Sequence, residues 1–224
     1  AKKFALGTWK NFRTTMEHLV AFMKKKYNRQ DIAINEIDLA FIMDFDFYLR
    51  TEKNCANNTT IKYVYKVHKI FKICIDNEWV QKDPFAKYNS KLSIVDRGYL
   101  NQFEIDSIIN KRIENPRLAL VRDIFVFSCY TGLSYIEVQN LKTDHISIGI
   151  DGHKWIFIDR QKTNSPSHIP LLPIALELIK KYECHPKCID TRKVMPILSN
   201  QRMNSYLKEI GDICGIKKEL TFHL

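Results

Sequence analysis

The 224-residue chain has no apolar run approaching the roughly 20 residues that a bilayer span requires, and its N-terminus carries no stretch resembling the apolar core of a secretory signal. A membrane-spanning protein is therefore not expected. Cysteine is sparse and scattered, at Cys55, Cys74, Cys129, Cys184, Cys188 and Cys214. That is no disulfide framework, so a reducing, cytoplasmic setting is the simpler expectation. Cys184-His185-Pro186-Lys187-Cys188 resembles a metal loop but lacks a second ligand pair at zinc spacing, and no metal is expected there. P-loop, G-x-G-x-x-G, G-x-S-x-G and H-E-x-x-H patterns are all missing, which removes the common nucleotide, hydrolase and metalloprotease signatures. Internal repeats and low-complexity tracts are also absent.

Acidic residues are in deficit. Asp and Glu number 25 against 35 Lys and Arg, for a formal charge of +10 and a pI near 9.2. Residues 1–90 hold 16 basic and 10 acidic side chains, and residues 91–224 hold 19 and 15. The excess is spread over both halves and is not a basic tail, which favours a polyanionic partner, either nucleic acid or an acidic membrane surface. A solvated basic surface is the plain alternative. Hydrophobic residues at 45% and aromatics at 12% suffice for packed cores.

Apolar positions Trp9, Phe12, Met16, Leu19, Val20, Met23 and Tyr27 recur at helical spacing over residues 8–27. The basic run Lys24-Lys25-Lys26 suits that helix's C-terminus. Asp38 can cap a second helix to about Leu49, and a third runs from near Asn58-Thr59 to about Asn77. Pro84 closes this all-helical unit, residues 1–86. Residues 87–98 read as a linker. A second unit, residues 99–224, opens on the capping-box pattern Asn101-x-x-Glu104. Helices follow to about Arg112 and from Arg117 to Tyr130. A Thr131-Gly132 turn leads into another helix near Ser134. HISIGI, KWIFIDR and SHIPLL then read as a three-stranded antiparallel sheet, with Asp151-Gly152 and residues 163–166 as turns. IALELIKKY and NQRMNSYLKEIGDI read as helices, the latter stopped by Gly215. The fold class is thus mainly α with a small antiparallel sheet.

Three constellations can carry chemistry. Lys62, Lys66 and Lys69 share one face of the third helix, with Thr59 at its start and Val64, Val67, Phe71, Cys74 and Ile75 behind. Such a stripe can neutralise phosphates along a duplex, although an ordinary solvated helix face has the same pattern. Arg160 and Lys162, two residues apart at the end of the second strand, should share a face and form a cationic clamp beside the turn. Charges at a hairpin edge are also common. Ser134, with Glu137 three places on, opens a helix as a cap would.

The order of these features resembles the tyrosine recombinase (phage-type integrase) family, and more closely the integrases of conjugative transposons and related mobile elements. A helical basic unit and a linker are followed by TGLxxxEVxNL (131–141), a sheet with a turn lysine in RQKT (160–163), the phrase IPLLP (169–173), and LTFH (220–223). The resemblance implies a core-binding domain in residues 1–86 and an incomplete catalytic domain after residue 98. It implies cutting and rejoining of double-stranded DNA through a 3′-phosphotyrosyl intermediate, without metal or nucleotide cofactor, by a tetramer on DNA. It assigns Lys162 as the general acid that protonates the leaving 5′ oxygen, His223 as the first residue of H-x-x-R, and Glu137 as a brace.

The chain departs from that family twice. Ser134 stands where the family has an arginine, and serine offers no permanently charged fork. Loss of such a donor generally costs about 100- to 1000-fold in rate. Arg160 is the first candidate to replace it and Arg122 the second. The 224 residues also end before the second half of H-x-x-R and before the family's nucleophilic tyrosine. The expectation is a chain that binds DNA without cleaving it and is monomeric alone, with an N-terminal arm-binding domain also outside it. A catalytically silent DNA-binding relative is the second reading, and a helical interaction protein with an incidental basic surface the third.

Overall fold

The computed structural model describes residues 6–96 and 98–223, which divide into two compact units between Val95 and Asp96. The first unit holds α1 (Leu6–Tyr27), α2 (Leu39–Thr51) and α3 (Asn57–Asp76), with a single 3-10 turn at Ile34–Glu36. The α2 start follows directly from Asp38, whose carboxylate accepts the Phe41 N–H at 2.9 Å. Such a cap satisfies one of the orphan amides that every helix start leaves. Phe22 of α1, Phe41, Phe45 and Leu49 of α2, and Val64 and Phe71 of α3 are buried together. Phe22 packs edge-on to Phe41 with centroids 5.2 Å apart. Each buried Phe or Leu of this kind contributes about 1.5–3 kcal/mol relative to exposure.

Residues 87–95, read from the sequence as linker, are fastened to the first unit. Asn57 donates to the Lys91 carbonyl at 2.9 Å, and Asn58 donates to the Ser93 carbonyl and accepts its N–H, both at 2.7 Å. Tyr88 donates to Asp46 on α2 at 2.6 Å. Weak periodicity did not reveal this segment's order, because its partners are the polar side chains that open α3.

The second unit is built around α5 (Pro116–Thr131), which packs against α4 (Gln102–Asn110), α7 (Pro173–Tyr182) and α9 (Asn200–Ile213). Nine of its residues are buried, Asp123 and Ser128 among them. A helix that apolar belongs in the middle of a core. α4 carries the full capping box of Asn101 and Glu104. The strands β1 (Ile146–Ile148), β2 (Lys154–Asp159) and β3 (Pro166–Pro170) form one antiparallel sheet in that order. The second turn spans residues 160–165, and Pro166 already belongs to β3, paired with Asp159. Two short α-helices, α6 (Tyr135–Asn140) and α8 (Pro186–Thr191), and a 3-10 turn at Thr143–His145 also belong to the unit. α8 shows no helical period in the sequence. Here Cys188 is buried and the His185 ring accepts the Lys187 N–H at 3.2 Å, so the Cys-His loop is a capped helix start.

Candidate active site

The end of α5 sets the geometry. Gly132 adopts a left-handed conformation, φ 62°, which costs a residue with a Cβ about 1–2 kcal/mol. Its N–H donates to the Ser128 carbonyl at 2.8 Å. The Ser128 hydroxyl donates to the Leu133 carbonyl, and the Thr131 hydroxyl donates to the Phe127 carbonyl at 2.7 Å. Leu133 is buried beneath the turn. The Thr131–Leu133 turn is therefore fixed from both sides, and it presents the Gly132 carbonyl and Ser134.

Ser134 occupies the N-cap position of α6. Its N–H and its hydroxyl both donate to Oε2 of Glu137, each at 2.8 Å. The hydroxyl is thus engaged with the carboxylate. Arg160 arrives from the hairpin and donates through Nη1 to the same Oε2 at 2.9 Å and to the Gly132 carbonyl at 3.0 Å. One carboxylate oxygen therefore gathers three donors, two of them from the residue standing where the resemblance leads one to expect an arginine. Glu137 is 7% exposed and Arg160 33% exposed. Burial opposes ionisation of Glu137, but the Ser134 N–H, the Ser134 hydroxyl and Arg160 outweigh it and hold the carboxyl below its ordinary value. Among the described residues, the Nε and Nη2 of Arg160 donate to no protein acceptor.

Beside this turn lies a pocket of about 360 Å³ lined by Ser128, Cys129, Gly132, Ser134, Phe222 and His223, among others. Ser134 and His223, 89 positions apart in the chain, thus face one space. Phe222 is buried and packs edge-on to Phe125 of α5 and to Tyr135 of α6, which brings His223 to the rim. Cys129 also lines the pocket and is exposed; partial desolvation pushes its thiol up to about 11.

The remaining expected residues separate. Lys162 is exposed in the β2–β3 turn. Arg160 and Lys162 are not related by strand alternation, because β2 ends at Asp159 and the chain turns there: the Arg160 N–H donates to the Ser165 carbonyl, and its carbonyl accepts from Asn164, whose φ is 56°. Arg160 is placed by its own ion pair. Arg122 belongs to another cluster. Its Nε donates to Asp123 at 2.9 Å and its Nη1 to the Lys111 carbonyl at 2.8 Å. Asp123 also accepts from Lys181 at 2.6 Å and Tyr182 at 2.8 Å, tying α5 to α7. Arg122 lies nine residues before the end of α5, about 13 Å along the axis, and it does not line the pocket.

On α3, Lys62 and Lys69 are exposed, as is Thr59 in the first turn. Lys66 departs from a simple solvated stripe. Its ammonium sits 4.7 Å from the Tyr63 ring centroid, and the side chain lines an apolar groove with Trp9, Met16 and Ile70. Burial first, and Lys62 second, hold it below the ordinary lysine value.

The comparisons with known proteins bear on the fold. Residues 1–104 match the family model of the phage integrase SAM-like domain. The full chain superimposes on a lambda integrase dimer bound to a COC′ core site, with TM-score 0.74, 15% identity, and coverage of 100% of this chain and 78% of that one. The chain has the tyrosine-recombinase fold. A lambda integrase tetramer bound to a Holliday junction matches with TM-score 0.72 and 15% identity, covering 98% of this chain and 61% of that one. The Tn1549 transposon integrase in complex with a circular intermediate DNA matches with TM-score 0.72 and 13% identity, covering 94% and 75%. This chain therefore spans 61% to 78% of the length of these recombinase-fold neighbours. A search of curated proteins returns no match.

Proposed function

We propose that the chain is part of a site-specific DNA recombinase that integrates or excises a mobile element through a 3′-phosphotyrosyl intermediate. One observation carries this reading. Where Ser134 replaces the expected arginine, the guanidinium of Arg160 docks on the same turn, against Glu137 and the Gly132 carbonyl, with its other two nitrogens open. Phosphoryl transfer needs positioned cations around the phosphate more than it needs covalent help from the protein. Arg160 supplies the charge, Glu137 orients it, His223 donates from the pocket rim, and Lys162 in the turn protonates the leaving 5′ oxygen. Lys62, Lys66, Lys69 and Thr59 hold the duplex through its phosphates. The DNA-bound dimers and tetramers among the structural neighbours support a DNA partner and assembly on it, and the transposon integrase supports a mobile-element setting. Among the described residues no tyrosine lines the pocket, so the 224 residues alone are expected to bind DNA without forming a covalent adduct.

The test is cleavage of a nicked suicide substrate by the full-length protein. Arg160→Ala should lower the rate by about 100- to 1000-fold while duplex affinity stays within a few-fold. Arg160→Lys should restore little, because an ammonium cannot hold Glu137 and a phosphate in one planar fork. Unimpaired cleavage by both variants would refute the assignment. The second reading, a catalytically silent DNA-binding relative, is favoured by Ser134 itself. It predicts salt-dependent DNA binding and no adduct even from the full-length wild type.

A further inference from the structure

His223 lines the pocket with Ser134, yet it is an exposed residue in a turn, and its own N–H reaches only the neighbouring Thr221 hydroxyl at 3.3 Å. Two contacts on the preceding residue fix it. The Phe222 N–H donates to Oδ1 of Asn204 on α9 at 3.1 Å. The Phe222 ring meets the Tyr135 ring edge-on, with centroids 5.8 Å apart and planes at 85°. Tyr135 is the residue after Ser134, and its hydroxyl donates to the Leu198 carbonyl at 2.8 Å, just ahead of α9. Asn204 is itself braced by Asn200, its Nδ2 donating to Oδ1 at 3.4 Å. Ser134–Tyr135 and Phe222–His223 are thus two dipeptides joined through their aromatic members, with α9 holding the second by its backbone.

We propose that Asn204 is a positioning residue for the reaction: its side-chain carbonyl, together with the Tyr135–Phe222 contact, sets the separation of His223 from the Ser134–Arg160 cluster. The inference rests on the recombinase reading above, and it adds a residue that does not itself line the pocket. The chemistry needed at position 204 is a hydrogen-bond acceptor of Asn length. Aspartate keeps an acceptor in place, whereas leucine keeps the volume and removes it. A displacement of about 1 Å in a positioned group can cost about 100-fold in rate.

The experiment compares wild type, Asn204→Leu and Asn204→Asp in the full-length protein. Single-turnover cleavage and duplex affinity are measured together, alongside amide hydrogen exchange of Phe222 and the imidazole resonances of His223. Asn204→Leu should lose on the order of 10- to 100-fold in cleavage with affinity and melting temperature nearly unchanged. Its Phe222 amide should exchange faster and its His223 resonances should shift. Asn204→Asp should recover most of the rate and the protection. A merely structural role would lower the melting temperature of both variants without the split between them. Wild-type cleavage by Asn204→Leu, or equal loss in Asn204→Asp, overturns the proposal. If the wild type cleaves nothing, the recombinase reading fails, and the Phe222 exchange and His223 resonances still decide whether Asn204 holds the segment.

Discussion

Glu137 is the residue on which the site turns. Its Oε2 accepts from the Ser134 N–H, the Ser134 hydroxyl and Arg160, so its folded pKa lies below the ordinary value of 4.5. The sign follows from linkage. A carboxyl with a depressed folded pKa contributes stability that is fully present above the unfolded pKa and is lost as pH falls through the folded one. Glu137→Gln should therefore destabilise the second unit by about 1–3 kcal/mol at pH 7, and the difference from wild type should shrink as pH drops below the ordinary carboxyl value. Urea unfolding at several pH values measures this; a difference that grew on acidification would contradict it. Cys129 shows the opposite behaviour. With its thiol pushed up to about 11, it should remain protonated and react slowly with iodoacetamide at pH 7.5, as peptide mass mapping would show.

At the scale of elements, caps and turns carry sharp predictions. Asp38→Ala removes the acceptor for the Phe41 N–H and should cost about 1 kcal/mol. Gly132→Ala meets no atom within 4 Å of the added Cβ, so only its left-handed backbone is strained; thermal unfolding should report about 1–2 kcal/mol. These same features made the fold readable in advance. Asp38, the Asn101–Glu104 box, Gly132 and Gly215 are local devices whose residue type and spacing state their role, and each sits at the expected helix boundary. The three strands followed from alternation. What remained hidden depends on distant partners. Fastening of residues 91–93 comes from Asn57 and Asn58, and Asn204 meets Phe222 across 18 positions. In the site, Lys162 and Arg160 stood out because charges beside a hairpin turn are conspicuous. The partner of Arg160 could not be read, since an ion pair 23 residues apart leaves no periodic trace. Arg122 shows the converse: a cation near the turn in sequence, bound instead to Asp123 and the Lys111 carbonyl.

For the molecule as a whole, the proposed binding of duplex DNA by a chain basic in both units should release counterions. The logarithm of duplex affinity should fall linearly with the logarithm of salt concentration. Replacing Lys62 by Ala should reduce that slope by about one unit and weaken binding to all sequences alike. Lys66→Ala should act differently, because its ammonium lies over Tyr63 and its side chain lines the α1–α3 groove. There, lost packing should lower the melting temperature of the first unit as well. Fluorescence anisotropy over a salt series, with a thermal melt of each variant, separates the two effects.

Arg160 also fixes the root of the β2–β3 turn. Its backbone closes the hairpin on Ser165 and Asn164, and its side chain is moored to the Thr131–Leu133 turn. Lys162 is two residues out from that mooring, so its Cα stays within about 7 Å of Arg160 however the turn moves. The hairpin tip works as a short boom on a fixed post. Whatever swings Lys162 sweeps a small arc centred on the very cation that faces Ser134, and cutting the post at Arg160 sets the boom adrift along with it.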